Sequence, residues 1–215
     1  MEGKTPWVLH DRIFSEDHMY NFIQRTSARE NLTQTEIALP LMKKLHEGQT
    51  RKGAEKIPYI YHPLLMACHA CALGLKEDDL LATILLHDVC EDCGVTPEEL
   101  PVNENVRKAV ELLTFEIREG ETDEDAHERY FTAIKTNRLA VIVKIIDRCN
   151  NLSTMMGSFD RERMIEYIEE TEKYVFPLMD LLKFGYDGKY YDVAFLIKYH
   201  LLSVVHNDKH ALTLL

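Results

Sequence analysis

Long apolar runs are missing from this sequence. No stretch approaches the roughly 20 apolar residues that a membrane-spanning helix needs. The most apolar late segment, residues 192–205 (DVAFLIKYHLLSVV), is interrupted by Lys198 and His200. The first 14 residues, MEGKTPWVLHDRIF, contain no apolar run of the length found in signal peptides. We therefore expect a chain that makes no membrane contact and carries no export signal.

Positive charge is scarce as well. The chain has 25 Lys and Arg residues against 36 Asp and Glu residues, which gives a formal net charge of −11. Such a balance argues against broad binding to nucleic acid or to anionic lipid, so an anionic substrate would need a local cationic site or a metal. Five cysteines, an odd number, do not suggest a disulfide framework. We expect a cytoplasmic protein.

Helical periodicity runs through almost the whole sequence. Residues 76–93 (KEDDLLATILLHDVCEDC) are predicted to form one continuous helix. The preceding helix is expected to have His62 as its N-cap, Pro63 at its first position and a stop at Gly74. Val and Ile in residues 138–147 (RLAVIVKIID) would suit a strand, but the helical spacing continues to Met156. With 215 residues and no linker or repeat, we predict a single all-α domain over residues 1–215.

Polar side chains gather at the end of the helix predicted for residues 76–93. His87 and Glu91 are one helical turn apart, and so are Asp88 and Asp92, so the four groups should share one strip. The apolar run LLATILL before them would anchor this strip in a core. Imidazole and carboxylate groups held on rigid backbone are what a divalent metal requires.

Two further segments supply matching ligands. His62 begins one predicted helix and Asp147 lies in another, so that His62, His87, Asp88 and Asp147 would form a nitrogen and oxygen site suited to Mn²⁺, Fe²⁺ or Zn²⁺. Cationic and amide groups accompany them. Lys144, Asp147, Asn151 and Thr154 follow one helical stripe, Arg148 is adjacent to it, and Arg51 and Lys52 precede His62. This combination points to metal-assisted hydrolysis of a phosphate ester.

The cysteines offer a competing metal site. Cys68-x-x-Cys71 and Cys90-x-x-Cys93 are separated by 18 residues, a spacing found in structural zinc sites. Both pairs fall within predicted helices, whereas such sites usually take their cysteines from turns. We therefore interpret these cysteines as small buried packing residues.

Four motifs carry a resemblance to a known family. GQTRK followed by IPYIYHPLLMA, then LLATILLHDVCED, then VKIIDRCNNLST resemble, in order and spacing, the HD-superfamily hydrolase domain of the RelA/SpoT-type alarmone enzymes. The segment ETEKYVFPL is similar to the helix that follows in that family, so the HD-type core would span about residues 35–180, with flanking helices. The chain resembles a small stand-alone hydrolase, without the synthetase and regulatory domains of the long enzymes.

The resemblance implies a specific reaction. It would be the removal of the 3′-diphosphate from guanosine tetra- or pentaphosphate, usually with Mn²⁺, to give GDP or GTP and pyrophosphate. The family's ligands correspond to His62, His87, Asp88 and Asp147, its catalytic pair to Glu91 and Asp92, and its nucleotide contacts to Arg51, Lys52, Asn151 and Thr154. Asn150 replaces a histidine of the family pattern, a change expected to affect the substrate pocket more than the metal.

Two other functions stay open. The first is hydrolysis of another phosphorylated nucleotide: a nucleoside mono- or triphosphate, a cyclic nucleotide or the 2′-phosphate of NADPH. The second is a catalytically silent nucleotide sensor, which would not need the Glu91–Asp92 pair. The sequence leaves the oligomeric state open.

Overall fold

The computed structural model describes residues 15–51, 56–155 and 158–214, and over these ranges the chain is α-helical without a β-strand. A π-helical turn, Thr171–Val175, links two of the helices, and no described helix has the length and apolar character needed to cross a membrane. The fold class is therefore all-α, as predicted. The helices are α1 (Glu16–Glu30), α2 (Thr33–Leu45), α3 (Tyr61–Ala72), α4 (Asp78–Leu86), α5 (Val89–Asp92), α6 (Glu104–Leu113), α7 (Asp123–Ile134), α8 (Arg138–Thr154), α9 (Arg161–Glu170), α10 (Phe176–Phe184) and α11 (Tyr191–Leu214).

Helix α8 forms the centre of the core. It packs against α3, α4, α6, α10 and α11, and its residues 139–143 and 145–149 are buried. A helix surrounded on nearly all sides carries apolar residues around its whole circumference, which explains the strand-like run of Val and Ile. The side chain of Asn137 caps its start by accepting from the backbone N–H groups of Leu139 and Ala140, at 2.9 and 3.2 Å. The helix prediction for this segment is confirmed.

The start of α3 differs from the sequence-based prediction. The helix begins at Tyr61 with Ile60 at its N-cap, so His62 is not the cap and lies inside the first turn. Its end agrees with the prediction, because Gly74 follows the helix with a φ of +79°, a left-handed conformation that glycine adopts without strain. The shift of the start matters because it places the His62 ring beside α8 and not at an exposed helix end.

The predicted continuous helix over residues 76–93 is wrong. Helix α4 ends at Leu86 and α5 begins at Val89, with His87 and Asp88 between them. The Nδ1 atom of His87 donates to the carbonyl oxygen of Ile84 at 2.9 Å, the oxygen that the Asp88 N–H would bond in an unbroken helix. The side chain of His87 thus competes with the helical ladder. The chain turns there, and α5 restarts with a bond from Asp92 N–H to the Asp88 carbonyl at 2.8 Å.

Candidate active site

Three parts of the fold bring imidazole and carboxylate groups to one point. His62 comes from the first turn of α3, His87 and Asp88 from the break between α4 and α5, and Asp147 from the middle of α8. Nε2 of His62 lies 3.2 Å from Oδ1 of Asp147 and 3.8 Å from Oδ2 of Asp88. Nε2 of His87 lies 4.0 Å from the same Asp147 oxygen and 2.8 Å from the same Asp88 oxygen. His62, His87 and Asp147 are buried, and together they could hold a metal ion.

The imidazole nitrogens and carboxylate oxygens at this point are better placed to bind a metal than to form hydrogen bonds with one another. Nε2 of His87 is buried and close to Asp88, yet it is not aligned with that carboxylate for a hydrogen bond. The outer nitrogens of both rings are engaged, since Nδ1 of His87 donates to the Ile84 carbonyl and Nδ1 of His62 lies 2.6 Å from Oδ1 of Asn150. Nη1 of Arg51 lies 3.1 Å from the same Nδ1. The shorter contact with the amide oxygen, which only accepts, requires the proton of His62 on Nδ1. Both Nε2 atoms therefore face the shared point, as in metal sites with ordered outer partners.

The charges at this point are strongly coupled. Burial lowers the pKa of His62. Burial also lowers the pKa of His87, but the carboxylates of Asp88 and Asp147 outweigh it and raise that pKa to about 9. Burial alone would raise the pKa of each carboxyl, but His87 holds that of Asp88 low and Lys144 holds that of Asp147 well below its usual range. A group of two carboxylates in this state attracts a cation.

Tyr59 is a member of this site that the sequence analysis did not identify. Its hydroxyl donates to Oδ2 of Asp88, and its ring stacks on the buried ring of His46 at 4.5 Å between centroids. Burial, with the nearby charge of Asp88, raises its pKa, so the phenol stays a donor. Its place three residues before His62 in IPYIYH is a signal that could have indicated a role.

Two connected cavities open from the candidate metal group. The first has a volume of about 330 Å³, and its wall carries the cations Arg51, Lys144, Arg148 and Arg163 beside Glu91 and His127. The second, of about 730 Å³, shares Arg51, Glu91 and Arg163 with it. It extends towards Thr154, Met155 and Phe159. The sequence analysis missed Arg163 and His127, which lie outside the motifs and reach the wall only through the packing of α7 and α9.

The two acidic residues after Asp88 occupy different positions. The carboxyl of Glu91 lies on the wall of both cavities and accepts from the backbone N–H of Phe115 at 3.1 Å. Desolvation of the Glu91 carboxyl by the surrounding protein raises its pKa. This effect outweighs the hydrogen bond from the Phe115 N–H, which lowers the pKa. Glu91 and Asp92 are both exposed, but Asp92 lines only the larger of the two cavities, and its carbonyl accepts from Gln49. Glu91 is therefore the closer of the two to the buried His–Asp group.

Two curated relatives are similar in sequence to about two thirds of this chain. The guanosine-3′,5′-bis(diphosphate) 3′-pyrophosphohydrolases of Vibrio cholerae and Aquifex aeolicus are 30% and 31% identical to it, over 165 and 145 residues. These matches cover 70% and 66% of this chain but only 23% and 20% of the relatives, so the chain spans less than a quarter of their length. No model of a known protein family matches the chain.

A solved structure shares the fold. It is described as a metazoan orthologue of SpoT that hydrolyses ppGpp, and it superimposes with a TM-score of 0.64 at 18% identity. The superposition covers 81% of this chain and 94% of the other. This chain carries an HD hydrolase domain of the SpoT type. The resemblance inferred from the four motifs is confirmed.

Within the SpoT-type domain, the residues expected to contact substrate have different environments. Arg51 donates to Oδ1 of Asn150 at 3.2 Å and to Oδ1 of Asn151, so its guanidinium is oriented by α8. Nζ of Lys144 lies 3.3 Å from Asp147 and 5.3 Å from the centre of the Tyr130 ring. Both cations line the first cavity beside the His–Asp group. Lys52 lies outside the described residues.

Arg148 has a structural set of partners. It is 1% exposed, pairs with Glu170, lies 3.7 Å from the centre of the Tyr167 ring and donates to the Tyr167 carbonyl and the Thr171 hydroxyl. It contributes to the cavity wall while connecting α8 to α9. Thr154 bonds to the carbonyl of Asn150 in its own helix and lines the larger cavity.

Asn150 lies between the candidate metal group and the cationic wall. Its side chain was expected to affect the substrate pocket more than the metal, but Oδ1 contacts both Nδ1 of His62 and Nη1 of Arg51. It therefore joins the candidate metal group to the cationic wall.

The cysteines form no competing site in the described structure. Cys68, Cys71, Cys90 and Cys93 are free thiols, and none of them belongs to the group of residues that could bind a metal. Burial raises the pKa of Cys68 to about 12 and that of Cys90 to about 11, which keeps both thiols protonated. Cys71 is buried and the other three are half-buried against the core, so the four thiols pack as predicted but only one of them is fully buried.

Proposed function

We propose that this domain hydrolyses the 3′-diphosphate of guanosine tetra- or pentaphosphate, consuming one water and releasing pyrophosphate with GDP or GTP. The observation that carries the proposal is the convergence of His62, His87, Asp88 and Asp147 at the end of a cavity whose wall holds Glu91 and several cations. The names of the relatives support the same reaction. A buried acidic group needs such cations to admit a highly charged nucleotide.

We assign His62, His87, Asp88 and Asp147 as the ligands of a divalent transition metal, with Mn²⁺ as the first candidate. Such a metal supplies Lewis acidity that activates water and neutralises charge on a phosphoryl oxygen. The protein contributes the orientation of the donors. Asn150 and the Ile84 carbonyl fix the two imidazoles, while Tyr59 fixes Asp88.

The remaining residues have roles that follow from their places on the wall. Glu91 accepts the proton of the attacking water, since its raised pKa makes it a stronger base than a free carboxylate. Asp92 orients that water or the sugar from the larger cavity. Arg51 and Lys144 bind phosphate oxygens, and Asn151 donates to the same groups.

Three further contacts belong to the proposal. Arg148 adds positive charge to the cavity wall while it stays paired with Glu170. Thr154 contacts the nucleoside in the larger cavity. Lys52 is proposed as a phosphate contact from its place beside Arg51. The ligand is a small nucleotide and not a nucleic acid. We also propose a cytoplasmic location, which the five free cysteines support.

The test is release of pyrophosphate and GDP from guanosine tetraphosphate with added Mn²⁺, beside a panel of other nucleotides. Brisk release of both products that is lost in His62→Ala, Asp88→Ala and Asp147→Ala would support the proposal. Activity confined to a nucleoside triphosphate, a cyclic nucleotide or NADPH would keep the site and reject the substrate. Bound metal without turnover on any nucleotide would instead identify a sensor.

A further inference from the structure

Helix α11 exposes an unusual amount of apolar surface. Tyr191, Phe195, Leu196, Tyr199 and Leu202 are between 46% and 70% exposed, and Phe184 beside them is 71% exposed. Isolated apolar residues on a surface are ordinary, but a contiguous patch of large side chains marks an interaction site. We call the five residues of α11 the α11 face.

The helix is apolar on two sides, and the core uses only one of them. Ala194, Ile197, Leu201 and Val205 are buried where α11 packs against α8 and α10. The residues of the α11 face are at positions 191, 195, 196, 199 and 202. This spacing puts them on the side of the helix that faces outward. A helix with one apolar stripe buried would carry polar residues on the other side, so this second stripe requires a partner.

We propose that the α11 face binds a second copy of this chain, with the two helices antiparallel about a two-fold axis at Tyr199. A two-fold interface uses the same patch on both subunits, so the patch must complement itself. In this register Leu196 of one copy faces Leu202 of the other, because 199 is the midpoint of these positions. Tyr199 then meets its own counterpart at the centre of the apolar surface.

The polar residues at the ends of the face favour the antiparallel arrangement, because an imidazole N–H can donate to a carboxylate. Asp192 is exposed near the start of α11, whereas His206 and His210 are exposed near its end. The same two-fold places Asp192 of one copy opposite His206 of the other, again with 199 as the midpoint. A parallel arrangement would set Asp192 against Asp192, which is unfavourable. Lys209 is already engaged by Glu172 of its own chain.

The interface is separate from the candidate chemistry. None of the residues of the α11 face lines either of the two cavities that open from the His–Asp group. Substitutions on the face should therefore leave any hydrolysis by the folded domain unchanged. The inference does not depend on the proposed reaction.

The test is the mass of the 215-residue chain in solution, measured by sedimentation equilibrium across a concentration series. We expect a dimer. Leu196→Lys alone and Leu202→Glu alone should each raise its Kd by about tenfold or more, since each places two charges in the apolar surface. The double variant should recover the dimer, because the new ammonium group of one copy would face the new carboxylate of the other.

The controls separate this register from a general loss of apolar surface. Ile117→Lys changes an exposed apolar residue outside the face and should leave the Kd unchanged. Circular dichroism checks that each variant is folded. A monomeric wild-type chain would overturn the proposal, as would a dimer that withstands both single substitutions. A dimer that the double variant does not restore would overturn the two-fold at Tyr199.

Discussion

Glu91 lines the cavity beside the candidate metal group and is our proposed general base. The backbone N–H of Phe115 holds one carboxyl oxygen, and the surrounding protein raises the pKa of the group. Glu91→Gln preserves the size and the acceptor but removes the base. We expect metal binding to persist and kcat to fall by about 10²–10⁴, the usual contribution of a general base. The measurement is metal content by mass spectrometry beside the rate of pyrophosphate release.

The matched control for Glu91 is Glu98→Gln, which changes an exposed glutamate in the nearby turn Pro97–Glu99. That variant should keep both metal and rate. Loss of metal in Glu91→Gln would assign Glu91 to the metal ligands and would contradict a role as base.

Asn150 links a proposed ligand to a proposed substrate contact. Its Oδ1 fixes the protonated nitrogen of His62 and also accepts from Arg51. Removal of such an outer partner commonly lowers metal affinity by about 10- to 100-fold. We expect this loss in Asn150→Ala, measured by titrating the metal-free protein with Mn²⁺. Asn207→Ala, an exposed change on α11, should bind Mn²⁺ like the wild type. Equal affinities in both variants would exclude this role.

Residues that the sequence predicts to act together are easiest to recognise where a motif carries the chemistry within a short segment. Each of His62, His87, Asp88 and Asp147 lies in a recognisable pattern, and the structure brings Nε2 of both histidines within 4.0 Å of both carboxylates. That the four residues bind a metal stays a prediction. The contacts of Asn150, and the entry of Arg163 into the wall, depend on helices far apart in sequence. No local pattern indicates them.

At the scale of elements, the break between α4 and α5 shows the limit of periodicity. The apolar pattern from Leu80 to Cys93 suits a continuous helix, and one side chain interrupts it. Nδ1 of His87 takes the Ile84 carbonyl that the helix would use, so the turn arises from the same ring that faces the metal group. Periodicity reports which face is buried, but it does not report a side chain that competes for a backbone acceptor.

An ion pair is among the contacts of Arg148 at the junction between α8, α9 and the π-helical turn. Arg148 is buried in α8 and pairs with Glu170 at the end of α9, which leads directly into Thr171–Val175. Glu170→Ala would leave a buried guanidinium without its counter-charge. We expect the free energy of unfolding to fall by about 3 kcal/mol, as for other broken buried pairs. Urea unfolding measures it, and the exposed Glu169→Ala should change it little.

The same pair predicts a dependence on pH. Burial raises the pKa of Glu170, but Arg148 outweighs burial and lowers it below the usual 4.5. A carboxyl whose pKa is lower in the folded protein stabilises it above the unfolded value and loses this effect as the pH falls through the folded value. The stability difference between wild type and Glu170→Ala should therefore be largest above about pH 5 and should narrow below about pH 4. A difference that stays constant over this range would contradict the ion pair.

At the scale of the whole molecule, the candidate metal group connects the parts of the core. Its members come from α3, the α4–α5 break and α8, so a bound metal joins three segments that the unfolded chain cannot hold together. A ligand that binds only the folded state stabilises it by about 2.7 kcal/mol at 100 times its Kd. For a chain of this size that corresponds to a rise in Tm of about 5–10 °C.

We therefore expect Mn²⁺ to raise the Tm of the metal-free protein and a chelator to reverse the change, as measured by calorimetry. Asp147→Asn should abolish the rise in Tm, because it replaces a buried carboxylate of the candidate metal group with a neutral amide of the same size. Asp180→Asn, at an exposed carboxylate on α10, should preserve it. The result also separates binding from catalysis, since Glu91→Gln should keep the full rise in Tm although it has lost the base. An unchanged Tm in the wild type with excess Mn²⁺ would show that the convergence of His62, His87, Asp88 and Asp147 does not hold this metal.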